Sequence, residues 1–323
     1  MSGGSGFSSH RKPELRSIAV YVTADDAYVF PAIVSIQSVR KHVKLPPPLP
    51  VEKLKIDFFC LTTTGGISFE NQQILSRFEI SVVEAPWASG LQQESHNPNV
   101  AYAMLEGPEI FYSLGYGWSL GLDADVLCVG SVDLVEIFEQ VSTFGGIVNH
   151  ADALFNLRSA ESRKDFLDYC DGGAQRLQPL SQTAHTNTGV VFWNNKWAMD
   201  FRLTNKAHQL FQRFGEALVA PDQSLMALIT MKFDTSYLHL ERRLNYRLGN
   251  QEDVGRVASP AFVHFTGPDK PWSQAADSWR FVLHRSKRGM REHLRYKRIW
   301  RNVARKIAVS VNEHIRDGFP HSR

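Results

Sequence analysis

Two periodicities alternate through the first third of the chain, and this alternation narrows the fold more than any other feature. Ser17-Ile-Ala-Val-Tyr-Val22 is a β-branched run closing on Thr23-Ala-Asp-Asp26, and a helix pattern follows from Pro31 to about His42. Lys55-Ile-Asp-Phe-Phe-Cys-Leu61 reads as a second strand ended by Thr64-Gly-Gly66. Asn71 to Phe78 reads as a helix and Ile80-Ser-Val-Val83 as a third strand. After a helix around Asn99–Leu114, Trp118-Ser-Leu-Gly-Leu122 supplies a fourth strand. Strands separated by helices of crossover length call for an α/β fold with a mainly parallel sheet. Later strand candidates are Phe144–Val148, Thr188–Trp193, Phe233–Leu238 and Ala261–Phe265. Pro46-Pro47-Pro48 is a short stiff spacer, and no internal repeat interrupts the pattern.

At 323 residues and 43% hydrophobic, the chain can bury one large core. Three cysteines, Cys60, Cys128 and Cys170, form no CxxC or Cys/His cluster, so zinc is not indicated. Cys60 and Cys128 lie in apolar runs, where a reduced thiol behaves as a small hydrophobe. The start has no apolar signal region and no apolar run approaches 18 residues, so a reducing, cytoplasmic location is expected. The Gly/Ser-rich residues 1–16 read as a flexible leader. Residues 17–275 read as one domain, and residues 276–323 as a basic helical tail. Within that tail, residues 280–306 hold eleven Lys and Arg against Glu292 alone, a charge of +10 that leaves −7 for the rest of a chain whose net charge is +3.

Asp123-Ala-Asp125 stands where the fourth strand surfaces. Burying two unpaired carboxylates is costly, so packing does not explain them. A hard divalent cation, which prefers oxygen donors, does. In open α/β sheets ligands bind beyond the carboxyl ends of the strands, and Asp25, Asp123, Asn187 and His264 all fall at or near such ends.

Five segments occur in a fixed order: Val22-Thr-Ala-Asp-Asp26; Gly121-Leu-Asp-Ala-Asp-Val126; Thr186-Asn-Thr-Gly-Val190; Pro221-Asp-Gln-Ser-Leu225; and Val263-His-Phe-Thr-Gly-Pro-Asp-Lys-Pro-Trp272. Together they resemble family 8 glycosyltransferases, the retaining GT-A group that includes glycogenin and bacterial lipooligosaccharide galactosyltransferases. The likeness spans about residues 17–272, and the HxxGxxKPW run is its most specific part. It implies a Rossmann-like GT-A nucleotide-sugar domain, a UDP-sugar donor, Mn²⁺ and transfer with retention. Asp123, Asp125 and His264 would hold the metal, and the imidazole nitrogen favours Mn²⁺ over Mg²⁺. Lys270, beyond Gly267, would reach the diphosphate as a point charge. Ala24 and Asp25 would meet the nucleoside, with Asp25 accepting the uracil imide N–H; the plainer role for Asp25 is a helix N-cap. Ala124 belongs to the same nucleotide set. Asn187 and the Asp222-Gln223 pair match donor-sugar contacts, although Asp222 also suits an N-cap. Gln223 is a poor nucleophile, so a front-face displacement suits it better than a covalent intermediate.

The chain departs from the family at Met104, where a basic residue is usual, at Ala27 and at Thr188. These changes leave the donor sugar open. Two rivals follow: a non-catalytic sugar-nucleotide-binding relative, and a nucleotidylyltransferase, which would normally carry a Gly-rich phosphate loop near its first strand. The expected acceptor is a glycan or lipid-linked glycan. In the tail, Tyr296, Trp300, Val303, Ile307 and Val311 recur at helical spacing with cations on the other faces. Such a helix suits the anionic inner face of a membrane, with packing on the acidic body as the competing role. Without a nucleic-acid fold, the basic residues do not point to nucleic acid.

Overall fold

The structure is a computed structural model that describes residues 17–44, 54–91, 99–141, 145–154, 157–169, 184–233, 238–248, 257–267, 270–272 and 287–318. The leader, the Pro46–Pro48 spacer, Cys170 and Phe144 lie outside the described residues.

The principal strands are β1 (Ser17–Thr23), β2 (Lys55–Thr62), β3 (Ile80–Glu84), β4 (Trp118–Asp123), β5 (Val126–Cys128), β6 (Gly145–Leu154), β7 (Ala184–Asn194), β8 (Leu238–His239), β9 (Tyr246–Arg247) and β10 (Phe262–His264). Seven of them form one sheet in the order β8-β6-β7-β4-β1-β2-β3. The pairs β4–β1, β1–β2, β2–β3 and β8–β6 are parallel, while β7 runs antiparallel to both β4 and β6. The mainly parallel sheet is therefore as expected. A small second sheet, β9-β10-β5, sits beside the carboxyl end of β4.

The principal helices are α1 (Val29–His42), α2 (Phe69–Arg77), α3 (Ala103–Ser113), α4 (Leu203–Phe214), α5 (Pro221–Phe233) and α6 (Lys287–Gly318). β1 is the pivot. Its Ile18, Val20 and Val22 join the core shared with α1 and α6, while Ala19 and Tyr21 join the core shared with α3, α4 and α5. Burial on both faces is why this strand reads as an unbroken apolar run. Cys60 and Cys128 are free and buried, and burial pushes each thiol up to about 12.

Two expectations need correction. The strand expected over Phe233–Leu238 does not start at Phe233, which ends α5; the described strand is Leu238–His239, and residues 234–237 lie outside the described residues. Phe233 closes the apolar run of α5, and over so few residues the pattern does not separate a helix end from a strand start. Second, the apolar stripe of α6 does not face outward. Tyr296, Trp300, Ala304 and Ile307 are each at most 7% exposed and belong to the main core. Burying a large apolar side chain contributes about 1.5–3 kcal/mol, so lifting this stripe onto a membrane would first cost that contribution several times over. The outward face of α6 carries Arg291, Arg295, Arg298, Arg301, Arg305 and Lys306, all exposed. No helix among the described residues is long and apolar enough to cross a membrane.

Candidate active site

The site forms where the small sheet meets the carboxyl ends of the large one. β10 runs antiparallel to β5 with His264 opposite Val126, and Phe265 N donates to the Asp125 carbonyl at 3.1 Å. This register places a residue 139 positions downstream beside the Asp123–Asp125 pair. His264 Nε2 stands 3.1 Å from Asp125 Oδ1 and 3.5 Å from Asp123 Oδ2, and the three ligand atoms can all lie within 4.8 Å of one another.

The histidine is held from behind. Its Nδ1 lies 2.9 Å from Asn187 Oδ1 and 3.2 Å from Asn245 Oδ1. Both partners are amide oxygens, so Nδ1 carries the hydrogen and Nε2 offers the two carboxylates whatever it has left. In the neutral ring that is a lone pair, which repels them unless a cation or a proton lies between. Asn245 Nδ2 also donates to Asn187 Oδ1 at 2.9 Å, closing a buried Asn187–Asn245–His264 cluster. The ring occupies space that only glycine leaves open. A Cβ on Gly189 would fall 2.1 Å from His264 Cε1 and 2.4 Å from Nδ1.

The carboxylates are electrostatically unequal. Burial pushes the Asp123 carboxyl upward, reinforced by the charges of Asp125 and Asp222 against the opposing pull of His264 and Lys270. Its side chain keeps 35% of its surface in water, which blunts that push. Asp125 is nearly enclosed, and burial alone would raise it. The charges of His264 and Lys270 outweigh burial and hold it below the usual carboxylate range. Lys270 Nζ pairs with Asp125 Oδ2 and donates to the Phe265 carbonyl at 2.9 Å. Gly267, at φ +84°, supplies a left-handed turn between His264 and Lys270. Asp125 Oδ1 is buried and receives no aligned hydrogen bond from the described residues. Ligands 3.1–3.5 Å apart suit neighbouring corners of a coordination shell with bonds of about 2.1–2.5 Å. The donor set therefore fits a divalent cation.

The remaining residues divide. Asp25 accepts from Ala27 N at 3.1 Å and caps the short helical turn Asp26–Tyr28, so its plainer role is present. Asp26 Oδ1 takes hydrogen bonds from Asn71 Nδ2 and from Ser68 N and Oγ, which lower its proton affinity and pin this turn to the start of α2. Ala24 and Ala124 are buried, with Ala24 N donating to the Leu61 carbonyl at 3.1 Å. Asp222 and Gln223 occupy the first turn of α5, both half-buried. Burial raises the Asp222 carboxyl against the opposing hydrogen bond from the Thr188 hydroxyl. Met104 is 1% exposed, its Sδ filling the space above Gly121, so it packs in the core and offers no charge.

Sequence reading missed Asn245, which lies in no motif, and passed over Thr188 as a mere departure. Gly189 did leave a signal, because a glycine inside a strand marks close approach by another group.

A seven-stranded, mainly parallel sheet with an Asp-Ala-Asp turn at its carboxyl edge and a histidine brought in by a second small sheet defines a GT-A fold. The chain belongs to glycosyl transferase family 8, whose profile matches residues 19–276. A lipopolysaccharide 1,2-glucosyltransferase of Escherichia coli is 27% identical over 218 residues, covering 60% of this chain and 54% of its own length. The chain thus matches about half of that curated relative. Among solved structures, an active-site mutant of LgtC superposes with a TM-score of 0.56 at 19% identity, over 82% of this chain and 94% of LgtC. The bifunctional glycosyltransferase WbbM gives a TM-score of 0.57 at 14% identity, over 87% of this chain and 52% of WbbM. At these identities the structural matches speak for the fold alone.

Proposed function

We propose that the chain moves a hexose from a UDP-sugar to a glycan or lipid-linked glycan acceptor, with retention at the anomeric carbon and with Mn²⁺ bound by Asp123, Asp125 and His264. The observation that carries this reading is the His264 arrangement: Nδ1 is fixed by two amide oxygens while Nε2 faces two carboxylates. The bound cation would stabilise negative charge gathering on a departing diphosphate. Lys270, already in the same cluster, adds a mobile positive charge toward that group. Asp25, with one oxygen committed to its own turn, keeps the other for the uracil imide. Asn187 and Asp222 orient the donor sugar. Gln223 positions the sugar face without forming a covalent bond, which leaves attack from the leaving-group side. The lipopolysaccharide glucosyltransferase likeness and the LgtC structure solved with donor and acceptor sugar analogs support a saccharide acceptor. The exposed arginines of α6 other than Arg301 remain available to anionic groups on a lipid-linked acceptor or its membrane, through charge alone.

Thermal unfolding tests the donor site. A ligand at about 100 times its dissociation constant adds about 2.7 kcal/mol. A clear shift is expected only with UDP and Mn²⁺ together, and an equal shift with GDP and Mn²⁺ would overturn the uridine assignment. Turnover of UDP-sugars then separates an enzyme from a non-catalytic relative.

A further inference from the structure

We propose that α6 is a working part of the donor site, with Trp300 and Arg301 as positioning residues for the segment that carries Lys270. From sequence, both a membrane-facing tail and a tail packed on the acidic body were open. The contacts show the second. Trp272, two residues beyond Lys270, packs its ring 5.4 Å from Trp300 and edge-on to Tyr28 at 5.8 Å. Trp300 in turn meets Phe30 of α1 at 6.3 Å. Arg301 Nε donates to the Pro271 carbonyl at 3.3 Å. About two turns earlier on the helix, the Tyr246 hydroxyl bonds the Glu292 carboxylate and His293 lies 6.2 Å from the ring of Phe265. α6 therefore touches β9, the residue after His264, and Pro271-Trp272.

The aromatic series Phe30–Trp300–Trp272–Tyr28 joins the turn that presents Asp25 to the segment that presents Lys270. Aromatic pairs at these separations add specific orientation beyond area burial. A cation on a long flexible stem acts on a diphosphate only if its backbone is held in place. Two residues from Lys270, that hold comes from a helix outside the motif-bearing part of the chain. What the segment does rests on the UDP-sugar reading; how it is held does not.

The test uses the full chain and two independent readouts. Hydrogen exchange of residues 261–272 without ligand reports the hold itself. Calorimetric affinity for UDP against UMP, each with Mn²⁺, reports its use, because a general loss of stability would not change that ratio. Trp300→Ala is expected to speed exchange in 261–272 with β1 unchanged, and to lower the UDP:UMP preference roughly tenfold. Arg301→Met, at an exposed position, is expected to lower it roughly threefold. Trp300→Phe should restore most of the loss, and Leu294→Ala on the exposed face should match wild type. Folded Trp300 and Arg301 variants with wild-type exchange and wild-type preference would overturn the proposal. Should Trp300→Ala not fold, Arg301→Met and Trp300→Phe decide by the same measurements. A wild type that ignores UDP with Mn²⁺ would overturn the UDP-sugar reading, while the exchange result still decides the hold.

Discussion

The two ends of the central sheet treat charge in opposite ways. At the amino ends, a groove of about 430 Å³ is lined by Arg40, Lys55, Asp57, Glu79 and Tyr116 among others. Its charges are neutralised locally: Lys55 pairs with Asp57 at 2.7 Å, Arg40 with Glu79 at 3.6 Å, and the Tyr116 hydroxyl with Asp57. At the carboxyl ends, Asp123, Asp125 and Asp222 are drawn in from distant sequence and answered by one histidine and one lysine. The first end is chemically settled; the second carries an acidic excess that a cation would balance. A site is marked by charge the fold has gathered without cancelling, and only the carboxyl end carries that mark.

Gly189→Ala should break this contrast most completely, since its methyl would collide with the His264 ring. Removing such support for a metal ligand typically costs 10–100-fold, and about a 100-fold loss of Mn²⁺ affinity is expected here by calorimetry. Asp125→Asn should come close behind: the thermal shift with UDP and Mn²⁺ together should vanish, and persistence of that shift would remove Asp125 from the ligand set. Thr188→Val deletes the hydroxyl that satisfies Asp222 while keeping the shape of the side chain. Losing one hydrogen bond to this half-buried carboxylate costs about 1–3 kcal/mol, so turnover should fall roughly tenfold with UDP affinity kept. Thr188→Ser should recover most of it. At the amino end, Lys55→Met should leave turnover unchanged and move stability by less than about 1 kcal/mol, as exposed ion pairs do. A large activity loss there would mean that the settled end is not settled.

Legibility followed burial and motif. β1 to β4 could be read because they are apolar on both faces or end in marked turns, and their boundaries shift by only a residue or two. β8 and β9, two residues each, are below the reach of periodicity, and Phe233 was misread because a helix terminus and a strand start look alike over so few residues. Asp123, Asp125, His264 and Lys270 were legible through fixed spacing, and the structure brings all four together. Asn245 was not, since its role exists only once β9 lies against β10. The α6 stripe was legible as amphipathic, but its partner was not: lipid and a protein core select the same pattern of apolar residues.

The small sheet also sets a timetable. Asp123 and Asp125 leave the ribosome well ahead of His264 and Lys270, by roughly 7–30 s at ordinary synthesis rates, and α6 emerges later still. Throughout that interval the growing chain holds an acidic mouth with no histidine, no lysine and no bracing helix. The donor set is complete only once His264 and Lys270 have emerged, so a chain terminated before His264 would lack its nitrogen ligand however well its first strands had folded.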